Sequence, residues 1–292
     1  MRLATIKLND AEVAGIVLGT GILPIKNLNA AKDSGWKEDM YSLIQAQEIP
    51  ALTKWYNEGG KEVIESIPGA VPQEEVVYGP LYRKCSRIWG IGLNYKDHAG
   101  DLKEKTPTGI PGSFIKMDTT IIGNDDTIKI PIQSQRTTAE AELGIIIGRE
   151  CRNIEKKEWL NYVAGFTTIL DQTAEDILRL NPRYLTMAKN YDTFFSFGPE
   201  LITPDEIENI ENLKVRTIHN QKVHWENVIS NMTFAPDWMI SYYSKMFTWK
   251  PGEVLATGTP RAVVIEDNDT VGCEIDGFRS LENRVADLKI QH

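Results

Sequence analysis

The sequence predicts an α+β protein dominated by strands: a small N-terminal α+β module, residues 1–75, followed by a larger β-rich domain, residues 76–292. Three observations carry that expectation. Short apolar runs of strand length, bounded by turn residues, recur along the chain. Helical patterns are fewer and scattered. The segment Ile67-Pro68-Gly69-Ala70-Val71-Pro72-Gln73-Glu74-Glu75 is rich in residues that break regular structure, and it marks the boundary between the two parts.

Taken in order, Arg2 to Leu8 and Val13 to Leu18 read as strands paired through an Asn9-Asp10 turn, and helical stretches follow around Glu38 to Gln47 and Ala51 to Ser66. Arg87 to Gly92 is an apolar strand whose glycines permit close backbone approach. Phe114 to Met117 and Thr120 to Ile122 are strand-like, as are Leu143 to Ile147 and Val163 to Leu170, with a helix between them from Glu155 to Tyr162. Leu213 to Trp225 makes two strands around His219-Asn220-Gln221-Lys222, so His219 and His224 are expected at the surface. Pro236 to Met246 is an amphipathic helix, and Asp269 to Val285 supplies closing strands.

Composition limits the function. A hydrophobic fraction of 41% and a charged fraction of 25% are ordinary for a globular chain of 292 residues. A net charge of -9 without a long basic run argues against nucleic acid or an anionic membrane as the partner. Cys85, Cys151 and Cys273 are odd in number and far apart, which suggests neither a disulfide framework nor a zinc cluster, and a reduced cytoplasmic setting is expected. No apolar run reaches membrane-spanning length, and the first residues lack the apolar core of a signal peptide.

Chemistry concentrates in Thr137-Thr138-Ala139-Glu140-Ala141-Glu142-Leu143-Gly144. Side chains alternate along a strand, so Glu140 and Glu142 leave on one face. Two carboxylates beside an apolar strand either face water or share a cation, and a hard divalent ion that keeps some waters suits such a pair. Asp171, at the expected end of the Val163 strand, is a third oxygen donor; the alternative is that it caps a helix starting near Thr173. If residues 94–101 are helical, His98 and Asp101 share a face, and the carboxylate can orient the imidazole as a base. Residues 102–112 are rich in Pro, Gly and polar residues. They read either as a lid that closes over that base or as a plain connector.

Together with Gly92-Leu93-Asn94-Tyr95-Lys96-Asp97-His98, Phe114-Ile115-Lys116, Lys189-Asn190-Tyr191-Asp192-Thr193-Phe194, Gly198-Pro199 and Thr257-Gly258-Thr259-Pro260, these segments resemble the fumarylacetoacetate hydrolase family. The likeness runs from about residue 86 to the C-terminus in the family's order. It implies a rolled mixed sheet and a metal held by Glu140, Glu142 and Asp171, with Mg²⁺ or Mn²⁺ as first candidates and Ca²⁺ as a further one. It implies that His98 and Asp101 form a catalytic pair, with Asp101 where Glu is more usual, and that Lys189 steadies an enolate. Tyr95, Lys116, Thr257, Gly258 and Thr259 would contact the substrate. A homodimer is implied too.

The resemblance therefore implies a metal-dependent enzyme acting on a 2-oxo or 1,3-dicarbonyl acid, with C–C bond hydrolysis first and decarboxylation, tautomerisation or diene-dioate isomerisation as alternatives. Three departures bear on the pocket: Glu175, Leu178 and Ala262 stand where the family usually has Arg, Gln and Gly. Arg183 and Arg261 are candidates to restore the lost positive charge. A protein that binds such a ligand without turning it over is the remaining reading.

Overall fold

The structure, a computed structural model, describes residues 1–95 and 109–290. The fold is α+β and strand-rich, with two mixed sheets. The larger has ten strands in the order β4 (Val71–Pro72), β3 (Gly21–Pro24), β2 (Ala11–Val17), β1 (Arg2–Leu8), β11 (Phe195–Ile202), β10 (Val163–Ala174), β9 (Thr137–Ile147), β14 (Val254–Ala256), β5 (Ile88–Gly92) and β6 (Gly112–Lys116). Two short strands join off this path, β7 (Ile121–Ile122) on β11 and β15 (Val263–Val264) on β9. The second sheet runs β13 (Lys222–Val228), β12 (Lys214–His219), β16 (Thr270–Ile275), β17 (Leu281–Asp287) and β8 (Thr127–Ile130).

The central pair is β9 and β10, which are buried along their whole length and antiparallel, with Glu140 opposite Asp171 and Glu142 opposite Ile169. Residues opposite one another in such a pair project to the same face, so strand register alone brings the acids together. Ala139, Ala141, Leu143 and Ile145 project to the other face, into a core shared with Cys273, Ile275 and Val285 of the second sheet. On the acids' own face, Ile146 and Ile169 join Leu3, Ile16, Leu52 and Phe197 in a second core.

Most expected elements form, with three corrections. The strand expected to stop at Asp171 runs on to Ala174, because residues 171–174 continue the ladder with Thr137 to Glu140. The helix therefore starts at Glu175, its N-cap is Ala174, and Asp171 caps nothing. The stretch expected as one helix over 51–66 is broken after Ile49–Trp55, where Glu58 and Gly59 leave helical geometry and Gly59 reaches φ +116°. Glu155 to Tyr162 winds as a 3-10 helix, Lys156–Tyr162. Strand β1 pairs with β11 and so continues the large sheet. Among the described residues no helix is long and apolar enough to cross a membrane, and all three cysteines are free.

Candidate metal centre

Glu140, Glu142 and Asp171 each offer a carboxylate oxygen within 4.8 Å of one another, the one such group of potential ligands among the described residues. All three are buried, Asp171 completely. The lysines expected nearby are present and buried as well. Lys189 Nζ donates to Glu140 Oε2 at 2.8 Å and to Asp171 Oδ2. Lys116, from β6, donates to Asp171 Oδ1 and, at 3.1 Å, to the Gln172 carbonyl. The second oxygen of Glu140 accepts from Thr173 Oγ1 at 2.9 Å. Phe114 closes the cluster, with Lys189 Nζ 4.5 Å from its ring centroid.

The turn after β14 supports the cluster from the side of Glu142. Its Gly258 amide donates to Glu142 Oε2 at 2.8 Å. Thr257 Oγ1 donates to the Leu143 carbonyl at 2.9 Å, and Thr259 Oγ1 to the Arg261 carbonyl at 3.2 Å. Gly258 has φ +92°, and a Cβ there would lie 2.9 Å from Asn94 Cβ and 3.0 Å from the Ile91 carbonyl oxygen. The turn thus presses against the end of β5 and aims its amide at a ligand carboxylate. Asn94 fastens it from below, donating to the Thr257 carbonyl at 2.7 Å. Tyr95 is fully buried and its hydroxyl has no hydrogen-bond partner among the described residues. Burial raises its pKa above the ordinary phenol value, and the Glu142 charge adds to the rise. His98 and Asp101 lie outside the described residues, as do residues 102–108 of the expected lid and His292.

Two of the three departures from the family pattern, Glu175 and Leu178, are accommodated by their surroundings, and nothing in the structure explains Ala262. Glu175 is buried and bound by two guanidiniums, Arg136 Nε at 2.8 Å and Arg179 Nε at 2.7 Å. The acid at this position is therefore compensated locally. Leu178 packs against Ile177, Ala188 and Phe194. Arg183 is exposed, and the Arg261 guanidinium stacks 3.8 Å from the Trp225 ring centroid.

Electrostatics favour a cation here. Burial pushes the Glu142 carboxyl well above the usual carboxylate range, with Asp171 and Glu140 adding to the effect. Burial also pulls Lys116 down to about 8, partly opposed by Asp171. For Lys189 burial acts in the same direction, but Asp171 and Glu140 outweigh it and hold its pKa above the ordinary lysine value. With all three acids ionised, the two ammonium groups would leave one buried negative charge without a counter-ion among the described residues, a state costly in a low-dielectric interior that a bound cation would relieve. Oxygen-only donors at this spacing suit a hard divalent ion. Thr173 and Asn94 were not singled out in the sequence. Thr173 had a signal, since it lies two residues from Asp171 and so shares its face.

Residues 87–286 match the family model described as fumarylacetoacetate (FAA) hydrolase C-terminal. The chain belongs to the fumarylacetoacetate hydrolase family. It is 37% identical to an uncharacterized protein of Archaeoglobus fulgidus over 70% of this chain and 81% of the relative. It is 30% identical to a protein of Rattus norvegicus named oxaloacetate tautomerase Fahd2a, mitochondrial, over 74% of this chain and 71% of the relative. Among solved structures, maleylpyruvate hydrolase from Sphingobium sp. SYK-6, in complex with manganese (II) ion and pyruvate, aligns with a TM-score of 0.77 at 26% identity. That alignment covers 98% of this chain and 99% of the other.

Proposed function

We propose that this chain is a divalent-metal-dependent enzyme that converts a 2-oxo or 1,3-dicarbonyl carboxylic acid through its enolate, with keto–enol tautomerisation of an oxaloacetate-type acid as the first reading. The observation that carries this is the cluster of Glu140, Glu142 and Asp171 with Lys189 bonded to two of its members. Mg²⁺ is the first ion to test and Mn²⁺ the second. Bound to these carboxylates, the ion would supply Lewis acidity toward adjacent oxygens of the substrate.

The chain's own residues account for the rest. The Lys189 ammonium keeps its proton and offers it as a donor to an oxygen that gains negative charge. Lys116 holds Asp171 in place from the opposite side. A divalent ion would change the net charge of the cluster from one negative to one positive, which favours a substrate carrying a carboxylate. The Gly258 amide fixes Glu142, so this ligand keeps its geometry when substrate arrives.

Tautomerisation comes first because, besides enolate stabilisation, it needs only a proton lost at the enol oxygen and one gained at carbon, with no C–C bond cleaved and no water added, and because curated relatives at 30% identity and above carry that name. C–C bond hydrolysis is the second reading. It is favoured by His98 and Asp101, spaced three residues apart in the sequence as an acid-oriented base would be. Purified protein loaded with Mg²⁺ separates the two. Faster loss of the enol absorbance of oxaloacetate, at about 1 s⁻¹ or more, supports the first. Release of pyruvate from an acylpyruvate, abolished in His98→Ala, supports the second. Failure to turn over either compound, or a 2-hydroxy-diene-dioate, would leave a ligand-binding protein. The homodimer implied by the family belongs to this proposal, and light scattering tests it.

A further inference from the structure

The two lysines on Asp171 come from elements far apart in sequence. Lys116 ends β6, and Lys189 ends the helix Leu185–Lys189. A five-residue helix has little stability of its own and needs tertiary contacts to hold its position. Its neighbour β6 is the last strand on the path of the large sheet and, among the described residues, pairs only with β5. A side chain just past the helix end ties the two by hydrogen bonds. Asn190 Oδ1 accepts from the Met117 amide at 2.6 Å, and Asn190 Nδ2 donates to the Ile115 carbonyl at 2.9 Å. The same Nδ2 donates to the Thr186 carbonyl of its own helix at 2.7 Å. The carboxamide thus supplies the acceptor and the donor that an adjacent strand would offer to the free edge of β6.

We infer that Asn190 is a positioning residue: its carboxamide locks β6 to the helix Leu185–Lys189 and so fixes Lys116 and Lys189 together on Asp171. Asn190 is bracketed by these contacts at Ile115 and Met117, the two residues flanking Lys116, and it directly follows Lys189. The alternation of β6 turns Phe114 and Lys116 inward and leaves Ile115 and Met117 exposed. Asn190 therefore holds the strand by its backbone edge, while the Lys116 side chain projects to the buried face. Its bearing on catalysis rests on the function proposed above. The positions of the lysines do not.

Competitive acylation of lysines, read by mass spectrometry on the intact chain, tests this without turnover. In the wild type, Lys116 and Lys189 are buried and react slowly, whereas Lys54, 72% exposed, reacts freely. Asn190→Ala is expected to speed acylation of Lys116 or Lys189 by about tenfold or more relative to Lys54, as the local contacts open. Asn190→Asp keeps the acceptor for Met117 but loses both donated bonds, and is expected to raise the same signals. It carries the test if the alanine variant does not fold. Asn29→Ala removes a comparable bridge to Trp36 and Ser34 in another part of the fold, and should leave both lysines protected. Unchanged protection in both Asn190 variants, or an equal rise in Asn29→Ala, overturns the assignment.

Discussion

Lys189 brings an ammonium into a nearly water-free site, and its value there depends on the two acids it holds. Replacing it with Met leaves Glu140 and Asp171 opposed. If the ammonium also stabilises developing oxyanion charge, kcat should fall by about 10²–10³, measurable as initial rates at saturating substrate. Thr173 is a finer test of the same cluster. Thr173→Val removes the donor to Glu140 Oε1 and should weaken Mn²⁺ binding by about tenfold in calorimetric titration, while Thr173→Ser should stay near wild type. The acids were legible in the sequence because Glu140 and Glu142 alternate with alanines and Asp171 follows an apolar run. That Lys116 and Lys189 belong near the acids was expected only from family resemblance, since a lone lysine carries no spacing signal. Asn190 could not be read as a bridge, because its partners are backbone atoms more than seventy residues away.

At the scale of elements, β10 outruns its local signals. Thr173 and Ala174 read as a helix start, yet pairing with Thr138 and Thr137 keeps them extended, so tertiary partners override local preference. The helix Glu175–Leu180 is instead anchored at its start by Asp176, whose carboxylate accepts from Ser134 Oγ at 2.7 Å and from the Gln135 amide at 2.8 Å. Partial burial pushes the Asp176 pKa up, but the Gln135 and Ser134 bonds outweigh it and hold it below the ordinary value. A carboxyl depressed in the folded state stabilises above its unfolded pKa, near 3.9, and that contribution fades as pH falls through the folded value. Asp176→Ala should therefore lower Tm by about 2–4 °C at pH 7 and by less at about pH 3, as read by calorimetry. Gly258→Ala tests the ligand-bearing turn. Its positive φ and its contact with Asn94 leave no room for a methyl group, so the variant should lose metal affinity together with about 1–3 kcal/mol of stability, seen in denaturant titration.

For the molecule as a whole, the N-terminal strands continue the sheet that holds the acids, and Leu3, Ile16 and Leu52 share a core with Phe197 and Val254. A chain starting at residue 76 would expose the edge of β11 and that core, so it should be insoluble or aggregate in size-exclusion chromatography. The strand and hairpin inventory was readable because apolar runs and turn residues are local signals. That β1 joins β11, nearly two hundred residues away, was not, because nothing local encodes which edge a strand will find. The account as a whole stands on three carboxylates from two neighbouring strands sharing one cation. Anomalous diffraction from a crystal soaked in Mn²⁺ tests that most directly. The account predicts a single strong peak at about 2.0–2.4 Å from an oxygen of each of Glu140, Glu142 and Asp171. No peak among them at saturating Mn²⁺, or a peak that leaves Asp171 outside its coordination shell, would contradict it.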